Sequence, residues 1–199
     1  MKTGLMILSM LLTLVLVRPA AGVVLLNQDQ ALKEMFPDAA KVTSEVHVFT
    51  TEQADSAKAQ LGGKWTLYQS GAKSEEGKEN DSVTFYFGMK DGKKTGVALV
   101  EVQPGKWGPV KYIVALDLTG KVTNLAVMSY VEQRGRPIAT RRFLGQFVGK
   151  TGKNAITIGK DIDAVSGATI SSRATAFAVK KVVVLYDTFY LAGAEKTGE

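Results

Sequence analysis

The middle of the chain alternates apolar and polar residues, and this pattern limits the fold more than any other feature. Val83, Phe85 and Phe87 fall on one face of VTFYFGM, and GVALVEV, KYIVALDL and KVTNLAVMSYVE repeat the alternation. A period of two is typical of strands that bury one face. Short turns separate these segments: Asp91-Gly92, a hairpin signal, then PGKWGP and Thr119-Gly120. With KWTLYQS upstream, the sequence predicts about five strands in a largely antiparallel sheet.

Helical patterns precede this stretch. NQDQALKEMFPDA and TEQADSAKAQL are predicted helices, and KVTSEVHVFT between them alternates as a strand does. The first helix presents Ala31, Leu32, Met35 and Phe36 on one face, and Pro37 ends it. These elements form a helical lead-in over about residues 27–62.

Helical patterns also follow the predicted sheet. In ATRRFLGQFVGK, Phe143, Leu144, Phe147 and Val148 recur at helical spacing on one apolar side, and Gly149 ends this predicted helix. NAITIG is predicted as a short edge strand. The final segment, SSRATAFAVKKVVVLYDTFYLAG, is the longest predicted helix, with an apolar stripe of Ala178, Val182, Leu185 and Phe189. The predicted fold class is α+β, with helices packed on a largely antiparallel sheet and a long C-terminal helix. The sequence shows no repeat or linker, so residues 23–199 are predicted to be one domain with its core over about 63–192.

The first 22 residues have the composition of a secretory signal peptide. Lys2 precedes an apolar run from Leu5 to Val17, and small residues at Ala20 and Gly22 suit a signal peptidase. The run is shorter than the roughly 20 apolar residues that span a bilayer, which leaves an uncleaved anchor as the alternative. We expect cleavage after Gly22 and export to the periplasm or to the outer face of the cytoplasmic membrane.

The residue content excludes several kinds of site. The chain has no cysteine, which excludes disulfides, iron–sulfur clusters and c-type haem attachment. Its one histidine, His47, lies in a predicted strand, and zinc or copper sites usually need more such ligands, so no metal site is predicted. No GxSxG elbow accompanies it, which argues against a serine hydrolase. The net charge is +6, but lysine and arginine are scattered, so no nucleic-acid partner is predicted.

The segment DIDAVSGATISS places the hydroxyl of Thr169 among small residues just before the longest helix. Gly167 permits unusual backbone angles and close approach of a ligand. Helix N-termini favour anions, because the helix dipole places roughly +0.5 charge there, so a phosphate suits this position and could esterify the threonine. The alternative is a plain turn in which Thr169 or Ser171 is the N-cap. The P-loop pattern GxxxxGK[ST] is missing, which disfavours nucleoside triphosphates.

DAVSGATISS resembles the flavinylation motif of the FMN-binding domain family, D-x-x-[ST]-G-A-T-x-[ST]. That family includes the flavinylated subunits of the sodium-pumping NADH:quinone reductase and of the Rnf complex, together with many small exported flavoproteins. The resemblance implies that residues 23–199 are an FMN-binding domain. It implies FMN joined through a phosphoester to Thr169, installed from FAD by a magnesium-dependent flavin transferase. It also implies that the cofactor-binding motif is completed by Asp163, Ser166, Gly167, Ala168 and Ser171.

The respiratory subunits of the family carry a loop resembling H-x-E-T-P-G-L-G, and YVEQRGRPIATRRF stands in its place here. Glu132 and Gly135 match that loop and are predicted cofactor contacts, whereas the missing histidine makes the chain more similar to small exported members. Arg173, in the first turn of the final helix, is predicted to pair with the phosphate. Further candidates for the surroundings of the flavin ring are Arg134, Arg141, Phe143 and Trp107.

The resemblance implies an electron-transfer protein rather than a free-standing enzyme. FMN on Thr169 would pass electrons between the membrane and extracytoplasmic partners, such as a membrane quinone oxidoreductase or a cytochrome. A tethered flavin suits an exported protein, because a dissociable one would be lost by dilution. Two alternatives stay open: a flavin-dependent reductase that acts directly on a small substrate, and a non-redox extracytoplasmic binding module.

Overall fold

The computed structural model describes residues 22–65, 82–131 and 136–192. The strands are Val23–Val24 (β1), Lys41–Val48 (β2), Ser82–Lys90 (β3), Lys93–Pro104 (β4), Pro109–Leu116 (β5) and Val122–Tyr130 (β6). The α-helices are Gln28–Met35 (α1), Thr51–Gln60 (α2), Arg141–Leu144 (α3) and Thr169–Tyr186 (α4). The strands form one sheet in the order β1-β6-β5-β4-β3-β2, and all neighbours are antiparallel. The predicted α+β fold is confirmed.

Tight turns hold the strands in register. Asp91 and Gly92, between β3 and β4, have φ values of 51° and 75°, as a two-residue turn that matches the strand twist requires. Between β5 and β6, Oδ1 of Asp117 accepts hydrogen bonds from the N–H groups of Thr119 and Lys121 at 2.9 and 3.0 Å. The turns predicted at these two places are therefore confirmed.

Helix α1 covers one face of the sheet. Its apolar side chains pack on small and apolar residues of the central strands, including Ala98, Ile113 and Met128. The contact is close at Gly88, where a Cβ would lie 2.7 Å from the Phe36 ring. The predicted apolar face of this helix is thus the face that it buries.

Helices α2 and α4 cover the opposite face of the sheet, where Phe85 and Phe87 belong to the larger core. Helix α4 is buried over most of its surface, and Ala174, Ala178 and Val182 have no exposed area. Burying a side chain such as valine contributes roughly 1.5–3 kcal/mol, so the packing of α4 is a large part of the stability. This packing also fixes the position of the first residue of α4, Thr169.

The predicted edge strand over NAITIG is wrong. Ile156 has a φ of 45°, which a β-branched residue rarely adopts. The carboxylate of Asp161 accepts hydrogen bonds from the N–H groups of Ile156 and Thr157 at 3.0 and 2.8 Å. A turn organised by Asp161 therefore replaces the strand, and an isolated parallel bridge joins Ile158 to Ile162.

Two helices differ in length from their predictions. Helix α3 gives way to a 3-10 turn at Gly145–Phe147, and Val148, predicted on its apolar side, is half exposed. Helix α4 begins two residues earlier than predicted, and a π-helical turn at Asp187–Leu191 continues it.

Several predictions fall outside the described residues. They concern residues 1–21 of the predicted signal peptide, residues 66–70 of KWTLYQS, and Glu132, Arg134 and Gly135. Within the described ranges, none of the helices combines the length and the apolar character that crossing a membrane needs.

Candidate functional site

Thr169 is the first residue of α4, and its side chain is exposed. The N-cap residue is Ala168, with φ −129° and ψ 31°, and its own side chain forms no capping hydrogen bond. Ser171 lies in the first turn and is only 1% exposed. The alternative that Thr169 or Ser171 is the N-cap is therefore wrong. The Thr169 hydroxyl stands at the positive end of the helix dipole without serving as its cap.

The loop before α4 exposes the small residues of the predicted motif. Asp163, Ser166 and Gly167 are exposed, whereas Ala168 is buried. Gly167 has a φ of 76°, and a Cβ there would meet no atom of the described residues within 4 Å. Glycine is thus favoured by the backbone conformation and not by crowding. Within the described part of the chain, the space beside the Gly167 backbone is therefore open.

Two side chains outside the predicted motif, those of Ser172 and Gln146, form hydrogen bonds to the backbone of this loop. The hydroxyl of Ser172 accepts a hydrogen bond from the Val165 N–H and donates one to the Ala168 carbonyl, both at 3.0 Å. Gln146 accepts from the Asp163 N–H at 2.8 Å through Oε1 and donates to the Asp163 carbonyl at 3.3 Å through Nε2. Sequence reasoning missed both residues, because no linear pattern brings residue 146 beside residue 163.

The first turn of α4 is tied to the sheet beneath it. The hydroxyl of Thr175 lies 2.9 Å from the Ser171 carbonyl oxygen and 3.2 Å from the phenol oxygen of Tyr112 on β5. Thr175, Ser171 and Tyr112 are all buried. The start of the helix is therefore a rigid support for the exposed Thr169.

Asp161 organises the chain just before the loop. Besides its two backbone hydrogen bonds, it pairs with Lys150 at 3.2 Å. Partial burial acts to raise the pKa of Asp161, but the N–H groups of Thr157 and Ile156 and the ammonium of Lys150 outweigh it, so the pKa is lowered overall. Asp161 is ionised at neutral pH and stabilises the turn that leads to the loop.

The exposed face of α4 continues from Thr169 into a cavity. Arg173 is exposed one turn further on, and helical geometry places Lys180 on the same side. The cavity has a volume of about 220 Å³, and its lining includes Ile156, Phe177, Arg173 and Lys180. A helix rises 1.5 Å per residue, so Arg173 lies about 6 Å and Phe177 about 12 Å from Thr169 along the helix axis.

The other candidates for the ring surroundings lie in different environments. Phe143 is buried and packs edge to face against Phe147, with ring centroids 5.5 Å apart, so its ring faces the core. Arg141 and Trp107 are exposed, at the start of α3 and in the turn between β4 and β5.

The one histidine of the chain lies away from Thr169, where Nε2 of His47 is 2.8 Å from the phenol oxygen of Tyr190. Among the described residues, no three His, Cys, Asp or Glu side chains are grouped to hold a metal ion.

Comparison with known proteins gives a match to one family model and to several relatives. Residues 105–184 match the family model of the FMN-binding domain. A subunit of the ion-translocating oxidoreductase complex of Aliivibrio fischeri is 34% identical over 119 residues, covering 54% of this chain and 57% of that protein. A subunit of the proton-translocating ferredoxin:NAD(+) oxidoreductase complex of Clostridium ljungdahlii is 31% identical over 120 residues, covering 56% of this chain and 64% of that protein. The chain therefore spans less than two thirds of the length of these relatives.

A crystal structure of NqrC from Shewanella oneidensis also resembles the chain. It matches with a TM-score of 0.49 and 15% identity, covering 82% of this chain and 88% of that one.

Proposed function

Because residues 105–184 match the family model of the FMN-binding domain, we propose that this protein is an exported flavoprotein with FMN bound covalently, through a phosphoester, to Thr169. It carries electrons between the membrane and extracytoplasmic partners. The observation that supports this most directly is the exposed Thr169 at the start of α4, where the N-cap residue is an alanine that has no polar side chain to cap the helix.

The surroundings of Thr169 suit a phosphodiester. The first intrahelical hydrogen bond of α4 runs from the Ser172 N–H to the Ala168 carbonyl at 2.8 Å. The N–H groups of Thr169 and Ile170 precede it, and such groups together with the helix dipole favour an anion. Arg173 adds a full positive charge one turn further on. A phosphodiester keeps one negative charge, which both features would stabilise.

The cavity beside α4 would hold the flavin ring. It begins one turn from Thr169 on the same helix face, and Ile156 and Phe177 give it apolar walls. Ring systems of cofactors favour apolar slots with a few polar groups. Arg173 and Lys180 also line the cavity, and their charges would stabilise negative charge on the ring.

Bound FMN supplies a centre that accepts and releases one or two electrons. The protein's own side chains bind this group, orient it and keep it on the chain. Among the described residues that line the cavity there is no histidine or carboxylate to exchange protons with a substrate. An electron carrier needs no such group, because it exchanges electrons with its partners and binds no small-molecule substrate.

Attachment requires FAD and a magnesium-dependent flavin transferase. A bond forms between Oγ of Thr169 and the phosphorus of the FMN half of FAD. The pyrophosphate bond of FAD breaks, and AMP leaves with the proton that the hydroxyl gives up. The exposed loop around Gly167 gives the transferase access to Thr169.

The names of the relatives indicate the kind of partner. Each is named as one subunit of an ion- or proton-translocating oxidoreductase complex. These names support a partner of the oxidoreductase class. We further propose that this partner is a membrane quinone oxidoreductase or a cytochrome, which the chain meets in the periplasm or at the outer face of the cytoplasmic membrane.

The visible absorbance of protein matured with a flavin transferase tests this function. After denaturation and desalting, we expect the flavin band to remain with the chain. Loss of the whole band at that step would refute covalent attachment while leaving FMN binding intact. Protein that is colourless before denaturation would refute both.

A further inference from the structure

We propose that Gln146 and Ser172 are positioning residues for flavin attachment, which hold loop 163–168 so that the Thr169 hydroxyl is presented to the transferase. The inference rests on the proposed function and names the residues that set the rate of attachment. Neither residue belongs to the motif D-x-x-[ST]-G-A-T-x-[ST].

Gln146 fixes the beginning of the loop. Its side-chain amide bonds to both backbone polar groups of Asp163, at 2.8 Å to the N–H and 3.3 Å to the carbonyl. Phe143 and Phe147, on either side of Gln146 in the chain, are buried and pack on each other. The amide is therefore attached to a short segment that is itself anchored in the core.

Ser172 fixes the end of the loop. It has no exposed area, and its hydroxyl joins the Val165 N–H to the Ala168 carbonyl across the loop. A buried hydroxyl with one donor and one acceptor partner has a single orientation. Between the two fixed points, Ser166 and Gly167 are exposed, and Thr169 follows them directly.

A fixed loop matters because group transfer needs the attacking oxygen about 3–3.5 Å from the phosphorus in the correct direction. If the loop had to become ordered during each encounter with the transferase, the Thr169 hydroxyl would be misaligned in most encounters. Removing one such hydrogen bond is expected to slow the transfer by about tenfold.

The experiment for Gln146 compares three variants by intact mass during reaction with purified transferase, magnesium and FAD. Gln146→Met keeps the side-chain length and removes both bonds, and Gln146→Glu keeps the acceptor for the Asp163 N–H. The matched control is Gln30→Met, since Gln30 accepts from the Asn27 N–H at 3.0 Å in α1, on the opposite face of the sheet. We expect kcat/KM to fall about tenfold for Gln146→Met, less for Gln146→Glu, and not at all for the control.

Ser172→Ala is paired with Thr188→Val in the same assay. The Thr188 hydroxyl donates to the Val184 carbonyl at 2.8 Å, which is the same contact four residues back that Ser172 makes with Ala168. We expect about tenfold slower attachment for Ser172→Ala and an unchanged rate for Thr188→Val.

The split between kcat and KM distinguishes positioning from general destabilisation. For a positioning role, the loss in Gln146→Met falls on kcat. Gln146→Glu then has a higher kcat than Gln146→Met, while the two variants have the same melting temperature. Attachment at the wild-type rate in both Gln146→Met and Ser172→Ala would overturn this inference and leave the proposed function standing. Losses of the same size in the control variants Gln30→Met and Thr188→Val would have the same consequence. A wild-type chain that the transferase never modifies would overturn the proposed function as well.

Discussion

Nζ of Lys181 on α4 lies 2.9 Å from Oε1 of Glu101 on β4, and the two side chains are only 9% and 11% exposed. Gln103 donates to the same carboxylate oxygen at 2.7 Å. The Lys181 ammonium also lies 4.9 Å from the centroid of the Trp65 ring. Burial raises the pKa of Glu101, although Lys181 acts to lower it. This pair joins the helix that begins at Thr169 to the sheet.

Breaking this buried pair should destabilise the protein strongly. Lys181→Met leaves the Glu101 carboxyl enclosed without its cation, and we expect the free energy of unfolding to fall by about 3–5 kcal/mol. The control is Lys121→Met, since Lys121 is 52% exposed and pairs with Asp117 at 3.7 Å. That change should cost about 1 kcal/mol or less. Urea unfolding measures both, and equal losses would contradict the account.

Asp161 should make the stability depend on pH. Its pKa is lowered in the folded state, so its contribution is present above the unfolded pKa and is lost as pH falls through that value towards the folded pKa. Asp161→Asn should lower the free energy of unfolding at pH 7 by about 1–2 kcal/mol. The difference from wild type should shrink below about pH 4. A difference that stays constant between pH 7 and pH 3 would disprove this role.

Two glycine substitutions should change the free energy of unfolding in opposite directions. Gly167→Ala places a side chain on a residue with φ 76°, which should lower the free energy of unfolding by about 1–2 kcal/mol. The cause is the backbone conformation, because no atom of the described residues lies within 4 Å of the added Cβ. Gly145, with φ −58° and equally open space, should accept alanine and gain about 0.4–1 kcal/mol. Thermal unfolding checks the pair, and shifts of the same sign would be inconsistent with the loop geometry.

The charges beside the cavity should tune the attached flavin. Arg173→Ala and Lys180→Ala remove cations that line the cavity, so we expect each to lower the midpoint reduction potential by tens of millivolts. Lys33→Ala is the control, because Lys33 is exposed on α1, across the sheet from α4. Spectroelectrochemical titration gives the potentials. Unchanged potentials in both cavity variants would place the ring elsewhere.

Local patterns predicted most of the fold. Alternation located the strands from β2 to β6, and the Asp91-Gly92 signal located the hairpin, because these features depend on neighbouring residues. The strand predicted over NAITIG was wrong because Asp161, beyond the segment, binds two of its N–H groups. Periodicity alone does not reveal a side chain that takes over backbone hydrogen bonds.

The linear motif gave only part of the candidate site. It placed Thr169 among small residues just before the longest helix, and the structure has this arrangement. Gln146 and Ser172, which hold the loop, and the buried Lys181–Glu101 pair were missed. Each depends on contacts between elements that are brought together only by the packing of α3 and α4 on the sheet.

The intact mass of the chain produced with a flavin transferase, followed by peptide mapping, tests the central claim most directly. The account predicts a mass increase of one FMN less one water, located on the peptide that contains Thr169. Thr169→Ala should show no increase, whereas the control Thr123→Ala, which removes an exposed hydroxyl on β6, should be modified as wild type is. The same increase in Thr169→Ala, or none in the wild-type chain, would contradict the claim.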